Sequence, residues 1–233
     1  MRITLPSGTA AEIARPDGQE PLRGLVVVPD VLGLRPLFDD LVARLAREQR
    51  WTVCAFELWA GRESLSLPDR LAAGGSLDDA RILGDASAAA DATGCDPVAV
   101  IGFCMGGMYT LKAAGTGRFD RAAAFYGMAR VPAQWRSATQ GEPLAAVTSP
   151  TRCPTLAIVG TADPWVPPAD VDALEAAGVV VVRYEGADHG FVHDPTRPAH
   201  RPDDAADAWR RVLNFLVGAA TAGPPGSADH REP

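Results

Sequence analysis

Apolar residues fall into short unbroken runs separated by amphipathic stretches. Ile3–Leu5 and Thr9–Ala14 flank Pro6-Ser7-Gly8, the pattern of an antiparallel hairpin. Gly24–Val28, Trp51–Phe56, Val98–Ile101, Arg121–Tyr126, Thr155–Val159 and Val179–Tyr184 are nearly continuous apolar runs, most of them with β-branched residues. Such runs suit strands covered on both faces. Between them the period changes to that of a helix. Leu37 to Gln49 has apolar residues at 37, 38, 41, 42 and 45, one face of a 3.6-residue repeat. Leu77–Ala92, Met108–Ala114, Ala169–Ala177 and Ala205–Val217 also read as helices. Two stretches break the rhythm. Residues 59–77 are rich in Gly, Ser and Pro and read as a loop over a site, and Pro132–Pro150 reads as a second excursion.

Strands alternating with helices imply an α/β fold with a doubly wound, mostly parallel sheet, to which the first hairpin adds an antiparallel edge. Residues 1–218 are expected to form one domain. The tail 219–233, rich in Gly, Pro and Ser, is expected to be disordered.

Charge and composition narrow the partners. The chain has 47% hydrophobic and 22% charged residues, ordinary for a globular protein. Its net charge of −7 argues against nucleic acid and anionic membranes. No run reaches membrane-spanning length, and the N-terminus carries no apolar leader, so a cytoplasmic location is expected. A small-molecule substrate and a monomer or homodimer fit this profile. The four cysteines, 54, 95, 104 and 153, form no C-x-x-C pair, which disfavours a zinc or dithiol site. Cys54 and Cys153 lie in apolar runs and read as buried thiols. No metal is expected: His189 and His193 stand four apart, but Gly190 and Asp194-Pro195 oppose a helix there.

One stretch carries chemistry. Val98-Ala99-Val100-Ile101-Gly102-Phe103-Cys104-Met105-Gly106-Gly107 reads as strand, sharp turn, helix, with a thiol at the apex. A side chain at 102 or 106 would collide with neighbouring backbone, and the helix N-terminus favours a thiolate. The pattern resembles the nucleophile elbow of α/β-hydrolases, with Cys in place of Ser. The alternative is a tight Gly turn around a core Cys. In parallel sheets reactive groups collect at the C-terminal strand ends. Two such ends carry Gly160-Thr161-Ala162-Asp163-Pro164-Trp165-Val166-Pro167 and Gly186-Ala187-Asp188-His189-Gly190-Phe191. Cys104, Asp163 and His189 follow the chain order nucleophile, acid, base. Taken singly, Asp163 also suits a helix N-cap and His189 a turn.

These stretches, with the strand spacing from about Gly24 to Val217, resemble the dienelactone hydrolase family. The resemblance implies an α/β-hydrolase fold and an enzyme that opens a lactone or cleaves a carboxylic ester through a Cys104 thioester, with no cofactor. It places the oxyanion hole at the backbone N–H groups of Val31 and Met105. It aligns Asp30, in Pro29-Asp30-Val31-Leu32-Gly33, with a family glutamate that controls protonation of the resting Cys; a loop or helix cap is the alternative. Family dienelactone hydrolases hold the substrate carboxylate with arginines, one of them four residues beyond the histidine. Here that position is His193, a poorer clamp than a guanidinium. Tyr126 aligns with an aromatic pocket residue of the family. Further substrate-binding candidates are Glu57, Trp59, Arg81 and Phe191, together with Trp165, Arg62 and Arg70; a solvated surface position is the alternative for each arginine. An enzyme for an uncharged lactone or ester, and a non-catalytic small-molecule binder on the same fold, are the alternatives.

Overall fold

A computed structural model describes residues 1–218; the tail expected to be disordered lies outside the described residues. Eight strands form one sheet: β1 (Arg2–Thr4), β2 (Ala10–Ala14), β3 (Gly24–Val28), β4 (Thr52–Phe56), β5 (Val98–Phe103), β6 (Ala122–Phe125), β7 (Thr155–Gly160) and β8 (Val180–Tyr184). Their spatial order is β1-β2-β4-β3-β5-β6-β7-β8. β1–β2 and β2–β4 pair antiparallel, and every other pair is parallel. The helices are α1 (Pro36–Gln49), α2 (Leu67–Ala73), α3 (Asp79–Thr93), α4 (Met105–Ala114), α5 (Pro143–Val147), α6 (Pro168–Ala176) and α7 (Pro202–Leu216).

The strands β3 to β7 are buried along their whole length, because helices cover both faces. One face packs Val26, Val100 and Ala122 against α3 and α4; the other packs Val27, Ile101, Ala123 and Leu156 against α1 and α7. From β3 the chain moves outward to β4, then returns to place β5 on the other side of β3. This reversal leaves a crevice beyond the C-terminal ends of β3 and β5, where ligands bind in open α/β sheets. Val28 pairs with Gly102 at that end, so Asp30 and Cys104 leave neighbouring strands.

The irregular stretches are more ordered than their composition suggests. Residues 59–77 contain α2 and a 3-10 turn at Gly74–Ser76. Ser66 is the N-cap of α2, and Pro68 and Asp69 sit in its first turn, a start signal outweighed by the surrounding Gly and Ser. The excursion after β6 holds a 3-10 turn, Ala133–Trp135, and α5. The two excursions meet: Trp135 Nε1 donates to the Leu71 carbonyl at 2.7 Å.

The elbow is tight. Cys104 has φ 57° and ψ −119°, a conformation costly for a residue with a Cβ. A Cβ at Gly106 would overlap the carbonyl oxygens of Pro29 and Val28, and one at Gly102 the carbonyl of Gly106. These obstacles are backbone and cannot rotate away. Gly106→Ala is therefore expected to destabilise the fold by about 3 kcal/mol or more, a fall in melting temperature of roughly 6–12 °C. A melt within 2 °C of wild type, about the size of a neutral surface change, would remove the close-approach argument.

Candidate active site

Cys104 stands between β5 and α4, half-exposed at the floor of a cleft of about 290 Å³. Val31, Leu32, Leu67, Leu71, Met128 and Trp135 form its mostly apolar walls, and Trp165, His189, Arg35, Asp194 and Arg197 complete the lining. Trp135 and Trp165 stack with ring centroids 5.7 Å apart, so the excursion after β6 and the turn after β7 meet at the cleft, which Leu67 and Leu71 of α2 also line.

The turns after β7 and β8 bring Asp163 and His189 together. His189 Nδ1 lies 2.8 Å from Asp163 Oδ2. Asp163 Oδ1 accepts the Trp165 N–H at 2.8 Å, and Asp188 Oδ1 accepts the His189 N–H at 2.6 Å. The N-cap of α6 is Pro167, so Asp163 is not a helix cap. With Nδ1–H donating to the Asp163 carboxylate, a neutral His189 would carry its lone pair on Nε2. Nε2 is buried and makes no hydrogen bond of ordinary geometry among the described residues. Burial disfavours an imidazolium here, but the charge of a Cys104 thiolate and the Asp163 carboxylate outweigh it and lift His189 to about 10. Cys104 and Asp163 each act on the ring both by charge and by hydrogen bonding.

Val31 N–H and Met105 N–H find no acceptor among the described residues. Met105 is the first residue of α4, and the first N–H groups of a helix lack intrahelical partners. Val31 is held from behind: Trp59 Nε1 donates to its carbonyl at 2.8 Å and Arg70 Nη1 approaches the same oxygen at 3.5 Å.

Asp30 points into a buried network. Its carboxylate accepts two bonds from Arg35, at 2.7 and 2.8 Å, one from His193 Nε2 at 2.7 Å and one from the Leu32 N–H at 2.9 Å. Burial would raise its pKa, but the His193 and Arg35 bonds hold it well below the usual carboxylate range. Asp30 thus caps its own loop and makes no hydrogen bond to Cys104 among the described contacts. The second His193 nitrogen, Nδ1, is hydrogen-bonded by the Tyr126 hydroxyl. With both nitrogens committed and the side chain buried, His193 is no substrate clamp in this structure.

Of the other substrate-binding candidates, Trp165 lines the cleft and the rest fall outside it. Glu57 is buried and accepts the Trp59 and Leu34 N–H groups at 2.7 and 2.9 Å; burial raises its pKa. Trp59 lies behind the Val31 loop. Arg81 is spent on Asp85, at 2.8 Å, and on the Leu58 carbonyl. Arg70 donates to the Leu65 and Glu63 carbonyls at 2.9 and 2.5 Å, and Arg62 to Ser76 at 2.7 Å. Tyr126 is fully buried with its ring edge against His189, centroids 5.2 Å apart, and Phe191 packs behind it. The cleft residues that sequence reading missed, Arg35, Leu67, Leu71, Met128, Trp135, Asp194 and Arg197, had one usable signal: Leu67 and Leu71 are one helical turn apart behind an N-cap serine.

The two histidines give opposite pH dependences. Burial keeps His193 neutral despite Asp30, with Arg35 and Arg197 opposing a proton as well. Its folded pKa lies below the unfolded value of 6.5, so the unfolded chain gains a proton first and stability falls as pH drops below about 6.5. His189 is raised to about 10; its contribution is complete below about 6.5 and lost as pH rises through about 10. Melting temperature against pH is expected to fall on both sides of this region. His193→Gln should flatten the arm between about pH 5 and 6.5, above the range of ordinary carboxylates; an unchanged slope would contradict the neutral His193.

Comparison with known proteins agrees with this architecture. The sequence profile of the dienelactone hydrolase family matches residues 9–219. A Synechocystis sp. relative named for carboxymethylenebutenolidase activity is 30% identical over 218 residues, covering 85% of this chain and 86% of its own. The carboxymethylenebutenolidase of Rhodococcus opacus is 27% identical, covering 85% and 82%. A Klebsiella pneumoniae crystal structure bearing a dienelactone hydrolase name superposes with TM-score 0.82 at 27% identity, covering 93% of this chain and 97% of that one. Eight strands with an antiparallel edge, a cysteine elbow at the switch point and this match across nearly the whole chain lead to one conclusion: the chain belongs to the dienelactone hydrolase family of lactone and ester hydrolases.

Proposed function

We propose that the protein hydrolyses a carboxylic ester or lactone through a thioester on Cys104, with His189 as base and acid and Asp163 as the group that orients it. The observation that carries this reading is the 2.8 Å bond that His189 Nδ1 donates to Asp163, with Nε2 left without an ordinary partner and Cys104 and His189 lining one cleft.

His189 Nε2 takes the thiol proton, and the thiolate attacks the carbonyl carbon. The carbonyl oxygen becomes an oxyanion between the Val31 and Met105 N–H groups, the donors left without acceptors. Collapse breaks the C–O bond, and the imidazolium returns its proton to the departing oxygen. In a lactone that oxygen stays tethered to the acyl group. Water, deprotonated by His189, then attacks the thioester; the C–S bond breaks, the acid leaves and the thiol is restored. Asp30 serves as a positioning residue: held by Arg35 and His193, it fixes the loop that carries Val31.

Acid-quenched turnover of p-nitrophenyl butyrate, followed by peptide mass spectrometry, tests this. One butyryl group is expected on the Cys104 peptide and none on Cys54, Cys95 or Cys153. Turnover without an adduct, persisting after Cys104 is alkylated, would overturn the thioester route.

A further inference from the structure

Beside Cys104 the cleft is walled by side chains that the catalytic steps leave unused. We infer that these walls form an acyl-chain pocket, and that the protein takes esters or lactones whose acyl half is uncharged and apolar and selects against a carboxylate there. The inference rests on the hydrolase reading above and adds the substrate class.

Three observations support it. The first is the division of space. Two openings meet at His189: the cleft of about 290 Å³ and a wider basin of about 620 Å³ that shares Trp165, His189 and Arg197 with it. Cys104 lines only the cleft, together with Leu32, Leu67, Leu71, Met128 and Trp135. In the thioester the acyl half is tethered to the sulfur, so it lies where the sulfur lies. The leaving oxygen takes its proton from His189, which lines both spaces, so the alcohol half has the basin as its exit.

The second is apolar surface left in water at one concave place. Of the six large hydrophobic side chains exposed among the described residues, two line this cleft: Leu32 at 37% and Leu67 at 42%. They come from separate elements, the Val31 loop and the first residue of α2. Met128 and Trp135 are buried at the same cleft, so the apolar lining continues inward from the rim. An apolar chain that fills it releases the water on that surface.

The third is that the nearby polar groups are spent or opposed. The Trp135 indole N–H donates to the Leu71 carbonyl at 2.7 Å. Arg35 gives two bonds to Asp30, and His193 is held between Asp30 and Tyr126. Asp194 also lines the cleft, and its carboxylate accepts the Thr196 N–H and hydroxyl at 3.0 and 2.6 Å. Burial raises its pKa, but those bonds outweigh burial and keep it ionised. Arg197, of opposite sign, stands exposed at the same cleft, so this pair adds no net positive charge. A carboxylate on the acyl chain would lose its hydration among leucines and meet Asp194; an alkyl group would not.

Four phenyl esters test the assignment: acetate, butyrate, hexanoate and the monoester of adipate, which matches hexanoate in length but ends in a carboxylate. Phenol release at neutral pH is followed with wild type and with Leu67→Arg, a change at an exposed position. For wild type, kcat/KM is expected to rise about 2- to 4-fold per added methylene, the scale of taking a CH₂ out of water. It should fall about 10-fold or more from hexanoate to adipate. Leu67→Arg is expected to raise the adipate-to-hexanoate ratio about 3- to 10-fold, between the worth of an exposed ion pair and that of a charge-assisted hydrogen bond. A flat chain-length series, adipate cleaved as fast as hexanoate, or a ratio unmoved by the arginine overturns the pocket. Phenyl acetate makes little demand on the walls and separates the two failures: if wild type cleaves none of the four, acetate included, the hydrolase reading itself falls.

Discussion

Cys104→Ala is expected to reduce ester turnover by about 10⁶-fold, the scale on which removing a nucleophile from such a unit acts. The methyl side chain fits where the thiol stood, and the strained φ of 57° belongs to the backbone, so the fold should survive; circular dichroism checks this. Among the described residues no other thiol or hydroxyl lines the cleft. Cys54 and Cys153 are buried, with burial pushing their thiols up to about 12 and about 11. Neither supplies a thiolate at neutral pH, and neither lines the cleft. Activity within about 10-fold of wild type, far above the residue expected from binding and oxyanion contacts alone, would remove Cys104 from the mechanism.

Asp163→Asn is expected to cost about 10⁴-fold in kcat, the figure known for the equivalent change in a serine protease. The carboxylate only accepts, so it fixes the His189 proton on Nδ1 and leaves Nε2 open. An amide can donate to Nδ1 instead, which sends the proton to Nε2 and blocks the thiol. Losing the negative charge also removes part of the support that lifts His189 to about 10. The residual activity of the Asn variant should therefore show its imidazole titration displaced toward neutral pH. A loss in kcat with no displacement of the profile would mean a packing role for Asp163 rather than an electrostatic one.

The parts of this molecule legible in the sequence are those encoded by local pattern. Buried parallel strands announce themselves as apolar runs, and the elbow by glycines whose missing side chains make room for backbone. Asp163 and His189 could be picked out because strand ends in a doubly wound sheet converge. The substrate face was not legible, for two reasons. Whether an arginine faces a cleft depends on whether a nearer acceptor claims it, and Arg70 and Arg81 are claimed by carbonyls and by Asp85 while Arg197 is not. The walls come from α2 and from the Trp135 turn, elements too short for periodicity to reveal and placed by contacts with each other. His193 shows the same limit. Its position suggested a ligand contact, whereas Asp30 and Tyr126, far apart in sequence, occupy both ring nitrogens.

The proposed machinery is also spread unevenly across the sheet. Cys104 leaves the central β5, whereas His189 follows β8, the edge strand, most of whose residues are exposed or only half-buried. Regions with few buried contacts open by local unfolding at a fraction of the global cost. The nucleophile is thus anchored to the most protected part of the molecule and its base to one of the least. Fraying of the last strand would disarm the enzyme while most of its core stayed packed, so its working life is set by the edge of the sheet rather than by its centre.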